Sequence, residues 1–126
     1  MVDLFELKEE LVVTIQSIYA QLNVSNLEIS QIWYKKLFGR PADATPMPGL
    51  IEWHHRQTAG LQVFENAKDA GHGTLTLIVS GLRGERKRLE DMGLSPGEIE
   101  LATSTSLIRL RDPDNNLVVL AQAGSV

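Results

Sequence analysis

The chain has 126 residues, no cysteine and a formal charge of −4, with 43% hydrophobic and 22% charged residues. That composition fits one globular domain, or two small modules sharing a core, and excludes disulfides, thiolate nucleophiles and cysteine-based zinc sites. The negative balance leaves no basic footprint for nucleic acid, and no apolar run reaches membrane-spanning length, so neither is expected as a partner. The opening "MVDLFELKEE" carries acids where a signal peptide carries lysines, which sets a cytoplasmic expectation.

Residues 1–14 form an N-terminal appendage in which Leu4, Leu7, Leu11 and Val12 approximate a helical stripe. A strand follows over 18–24, with Ile18, Ala20, Leu22 and Val24 on one face and Tyr19, Gln21 and Asn23 on the other. Ser25 or Asn26 caps a helix expected to bury Ile29, Ile32, Trp33 and Leu37 and to stop at Gly39, with Pro41 just beyond. Three prolines between 40 and 48 leave room for a short edge strand at most. Residues 50–56 and 61–65 then read as a hairpin around 57–60. The polar, glycine-rich "NAKDAGHG" divides a first module, about 15–66, from a second, about 73–126, with 67–72 as linker inside a single domain of 15–126.

The second module repeats the plan. Thr74, Thr76 and Ile78 alternate with Leu75, Leu77 and Val79 in a strand, and a helix over 82–92 with a charged outer face ends at Gly93. Strands are expected over 95–102, 106–111 and 117–122, and "RDPDNN" is a turn in which Asn115 or Asn116 takes positive φ. A shift of 55 lays Tyr19 on Thr74, Leu22 on Leu77, Val24 on Val79, Ser25 on Ser80 and Leu27 on Leu82. The duplication argues for two similar halves related by a pseudo-twofold axis.

This order, with "LNVSNLEISQIWYKKLFG", "TLTLIVSGL" and "LRDPDNNLVVLAQ", resembles the vicinal oxygen chelate superfamily of glyoxalases, extradiol dioxygenases and bleomycin-resistance proteins. The resemblance implies an α+β fold of two βαβββ modules, with curved mixed sheets forming a cleft, helices on the convex side and a homodimer as the usual assembly. Metal-dependent members supply ligands from four strand positions, which map here to Tyr19, Gln62, Thr74 and Val119. Phenol and hydroxyl are weak donors, valine is none, and only Gln62 offers a plausible neutral ligand. No metal and no other cofactor are therefore expected.

Other residues carry less. His54 and His55 point to opposite faces of one strand and cannot jointly chelate an ion. With a two-residue hairpin loop, Trp53 and His55 share the face of Gln62 and Phe64; with a three-residue loop, Glu52 and His54 do. The shorter loop is the expectation adopted. The "GHG" around His72 lacks the lysine of a phosphate loop. Arg83, Arg86, Lys87 and Arg88 are interleaved with Glu85, Glu90 and Asp91 as a solvated, salt-bridged face, and Asp112 with Asp114 reads as a turn rather than a calcium loop. No serine sits in a nucleophile elbow.

The leading expectation is a metal-independent protein that sequesters a small organic molecule in a cleft. Its lining is Tyr19, Gln21, Trp53, His55, Gln62, Phe64, Thr74, Thr76 and Val119. The alternative is a metal-dependent lyase, isomerase or dioxygenase with atypical ligands. A third reading is a structural or regulatory module whose cleft is filled by its own side chains.

Overall fold

A computed structural model describes residues 14–124, and the stripe of Leu4, Leu7, Leu11 and Val12 lies outside them. Strand β1 (Ile18–Val24) leads into helix α1 (Leu27–Phe38), followed by β2 (Ala44–Met47), β3 (Leu50–His55) and β4 (Ala59–Glu65). A single 3₁₀ turn at Ala67–Asp69 connects this module to β5 (Thr74–Ile78), α2 (Leu82–Asp91), β6 (Glu100–Leu101), β7 (Thr105–Arg111) and β8 (Leu117–Ala123). The architecture is α+β: two βαβββ modules, each with a mixed four-stranded sheet, ordered β1-β4-β3-β2 and β5-β8-β7-β6. The leading strand of each module pairs parallel with its last strand, and the other pairs are antiparallel.

Strand alternation sorts the side chains as the sequence suggests. Leu22 and Val24 are buried while Tyr19 and Gln21 are exposed, and Leu75 is buried while Thr74 and Thr76 are exposed. The apolar face of β1 is covered only along its second half, because Ile18 is 68% exposed.

Helix α1 is capped by Asn26, whose side chain accepts from the Ile29 N–H at 3.1 Å, and it ends at Gly39 with φ 73°. Its buried stripe differs from the expected one: Ser30, Tyr34 and Leu37 face inward, whereas Ile29 and Ile32 are 54% and 56% exposed. The rotation has a chemical cause. Tyr34 donates its hydroxyl to Asp112 Oδ2 at 2.7 Å inside the core, a partner 78 residues away that helical periodicity cannot register. In the second module the strand expected over 95–102 contracts to β6. Ser95 sits at φ 54°, Pro96 has no N–H to donate, and the Gly97 N–H already bonds the Arg109 carbonyl.

One hydrophobic core runs through both modules, with Leu22, Tyr34 and Trp53 from the first packed in the same cluster as Leu75, Leu89 and Leu120 from the second. The modules meet along a seam where β1 approaches β5. Gly73 lies against Leu22 so closely that a Cβ there would overlap the leucine side chain. Beyond that contact the β7–β8 turn stitches the halves together. Asn116 Nδ2 donates to the Asn23 carbonyl at 2.9 Å and to Asp112 Oδ2 at 2.8 Å, and its Oδ1 accepts from the Gly73 N–H at 2.8 Å. Asp112 also takes the backbone N–H groups of Asp114 and Asn116, and Asp114 takes that of Ser25. The turn is the one "RDPDNN" announces, with Asn115 at φ 75°. On the helical side, Arg88 donates to the carbonyls of Lys36 and Leu37 at 2.8 and 2.6 Å, placing a cation at the C-terminus of α1.

Candidate functional site

The two hairpins behave differently at the seam. The β3–β4 turn consists of three residues, 56–58, with Arg56 at φ 56°. It reaches the start of β1, where Thr58 O accepts from the Ile18 N–H at 2.9 Å, and no hydrogen bond among the described residues ties it to the other module. At this end lies a cavity of about 370 Å³. Its walls are apolar where Phe38, Trp53, Leu61, Leu75 and Leu77 contribute, and polar where Arg40, His54 and Thr76 do.

The three-residue turn also sets the parity of β3, and here the expectation is corrected. Glu52 pairs with Gln62 and His54 with Gly60, so Glu52 and His54, not Trp53 and His55, share the face of Gln62 and Phe64. Trp53 turns into the core, 1% exposed, where it stacks on Phe38 with centroids 5.4 Å apart and donates its indole N–H to the Arg40 carbonyl. His55 is exposed on Trp53's side of the sheet, at the cavity edge.

On the opposite face a connected polar array is built. Glu52, 9% exposed, accepts from Gln62 Nε2 at 2.7 Å and bonds His54 Nε2 at 2.9 Å. These two hydrogen bonds, that from Gln62 foremost, hold the Glu52 carboxyl below the usual glutamate range. Tyr19 packs edge-on against the His54 ring, with centroids 5.9 Å apart and planes at 83°. Gly60 beneath it has no alternative: a Cβ there would stand 2.5 Å from Tyr19 Cε1 and 2.8 Å from the Trp53 carbonyl. The His54 backbone is fixed as well. Asp43 accepts its N–H at 2.6 Å, Arg40 donates to its carbonyl at 2.6 Å, and Arg40 and Asp43 pair with each other. Those two side chains act as ladder partners for β3 past the end of β2.

Of the nine expected lining residues, Trp53, His55 and Thr76 line the cavity. Tyr19, Gln21, Gln62 and Phe64 share the outward face of the first sheet, with Gln21 opposite Gln62, but stand outside the cavity wall. Thr74, Thr76 and Val119 share a face of the second sheet beside Arg109, which pairs with Glu100 at 2.8 Å. Sequence reasoning left out the apolar wall of Phe38, Leu61, Leu75 and Leu77, and with it Arg40 and His54. The signal for His54 was the alternative loop length, and nothing local marks Arg56 as a positive-φ residue. A larger groove of about 540 Å³ runs beside α2, but its Arg86 is occupied by Glu90, Glu98 and the Gly97 carbonyl, the salt-bridged face the sequence suggests.

The four positions at which the sequence resemblance would place metal ligands hold Tyr19, Gln62, Thr74 and Val119, and the Gln62 amide is engaged by Glu52. That donor set does not fit a divalent cation, which calls for carboxylates or imidazoles. Among the described residues no three histidine, aspartate or glutamate side chains gather into a metal-holding group.

No family model matches the chain, and no curated protein does. Solved structures do. A glyoxalase/bleomycin resistance protein from Catenulispora acidiphila superposes with a TM-score of 0.77 at 22% identity, covering 84% of this chain and 96% of its own. TnmS3, an antibiotic binding protein from Streptomyces sp. CB03234, gives 0.74 at 17% identity over 90% and 98%. A lactoylglutathione lyase from Agrobacterium tumefaciens gives 0.70 at 17% identity over 83% and 91%. The chain therefore has the fold of the vicinal oxygen chelate superfamily.

Proposed function

We propose that this fold serves here as a metal-independent binding protein that sequesters a small organic molecule in the cavity at the open end of the β1–β5 seam. The cavity carries the proposal. About 370 Å³ of space with aromatic and aliphatic walls matches the size and lining that small-ligand sites require. Burial of apolar ligand surface supplies affinity, and polar residues at the cavity margin such as Arg40 and Thr76 supply orientation. The antibiotic-binding activity named for TnmS3 is consistent with this use of the fold. A homodimer is part of the proposal, because the outward faces bearing Gln21 and Thr74 are left uncovered in the single chain.

Calorimetric titration with naphthalene-sized probes tests the reading. Saturable one-to-one binding is expected, with a loss of at least about tenfold when Leu77→Trp fills the cavity. Absence of saturation, or indifference to the plug, overturns it. Affinity or turnover that depends on added nickel or zinc would instead support a lyase or isomerase.

A further inference from the structure

The open end of the seam carries apolar side chains that the described chain leaves bare. Ile15, Ile18 and Ile78 are 66%, 68% and 77% exposed. Ile18 pairs with Ala59, and Ala59 and Ile78 both wall the cavity, so Ile18 and Ile78 flank one mouth with Ile15 just upstream. Single exposed apolar residues are ordinary, but a group of them at the rim of an apolar cavity marks a docking surface. A cation stands there too. Arg56 opens the β3–β4 turn, whose Gln57 and Thr58 carbonyls bond Ser17 and Ile18, and among the described residues Arg56 forms no ion pair.

Residues 1–13 are the part of this chain with matching chemistry. They hold Leu4, Leu7 and Leu11 at helical spacing, and Asp3, Glu6, Glu9 and Glu10 against the single Lys8. A stretch this short gains little from helix propensity alone, so such a stripe is stabilised mainly by a surface to bury against. The segment joins the described chain at Thr14, four residues before β1 and at this same end. Thirteen residues span roughly 20 Å at helical rise, against a radius of gyration of about 14 Å for a domain of this size, so the mouth is within reach. The other exposed apolar pair, Ile29 and Ile32, belongs to the first half of α1, which begins three residues past Val24 at the closed end. We propose that residues 1–13 dock on Ile18, Ile78 and Arg56 of their own chain and cover the mouth of the cavity. Docking itself needs no ligand; the ligand retention it gives rests on the sequestration reading above.

The chain lacks cysteine, so Lys8→Cys takes a single nitroxide label without touching the apolar stripe. Nitrogen-15 spectra of the full labelled chain should show the amides of Ile18, Arg56 and Ile78 broadened, and that of Asn115 at the closed end spared. Leu4→Ser, Leu7→Ser and Leu11→Ser made together should remove most of that broadening, and so should Ile18→Ser on the receiving side. Broadening that survives both sets of substitutions reports only the tether and overturns the docking. A mixture of labelled nitrogen-14 chains with unlabelled nitrogen-15 chains identifies the owner of the segment. Broadening in that mixture belongs to a second copy and overturns the proposal as well. With naphthalene as the probe, the triple serine variant should release it about tenfold faster than the natural chain. Unchanged release, or tighter binding because the segment competes for the cavity, overturns the cover. Should naphthalene bind neither chain, the sequestration reading fails, and the nitroxide label alone decides the docking.

Discussion

The two ends of the β1–β5 seam are built from the same backbone plan and treated in opposite ways. At one end the β7–β8 turn crosses to the first module through Asp112, Asp114 and Asn116. At the other end, among the described residues, the corresponding β3–β4 turn bonds to Ser17 and Ile18 of its own module, and a cavity stands where a second lock would be. Duplication supplied two equivalent ends, and turn chemistry made them unequal. "DPDNN" offers short carboxylate and amide side chains that reach backbone groups, whereas Arg56, Gln57 and Thr58 offer none that cross the seam. One end is thus spent on stability and the other is available for a ligand.

Breaking the closed end should cost most. Asp112→Ala strands the Tyr34 hydroxyl, one hydrogen of the Asn116 amide and two backbone N–H groups, and is expected to remove about 3 kcal/mol of stability in urea denaturation. Gly60→Ala at the open end drives a methyl into Tyr19 and the Trp53 carbonyl, costing about 2 kcal/mol while leaving the Asp112 lock intact. Tyr34→Phe removes one of several donors to Asp112 and should cost about 1 kcal/mol, measured the same way.

The smallest effect is one of pH. The Glu52 carboxyl titrates below its usual value near 4.5, so its stabilisation is in place above that value and is lost as pH falls below it. Urea midpoints at about pH 6 and about pH 3 should differ less in Glu52→Gln than in the natural chain, because the amide has no proton to gain. An identical pH response in both chains would show that the array contributes nothing.

Much of this asymmetry was hidden in the sequence. The repeat at 55 residues, the alternation in β1 and β5, the caps at Asn26 and Gly39 and the positive φ of Asn115 all depend on neighbours in the chain and were legible. The buried stripe of α1 was not, because Tyr34 is drawn inward by a carboxylate in the other module. The parity of β3 was not, because it depends on one residue in the turn and Arg56 carries no signature of its left-handed backbone. That single residue moves Trp53 from cleft to core and brings His54 and Glu52 onto the polar face.

Native mass spectrometry of gently purified protein, with elemental analysis of the same sample, tests most directly whether the open end of the seam is a ligand site. The account predicts a metal-free chain that carries an organic adduct, with the adduct lost in Leu77→Trp. A stoichiometric divalent metal, retained through purification and indifferent to that plug, would contradict it.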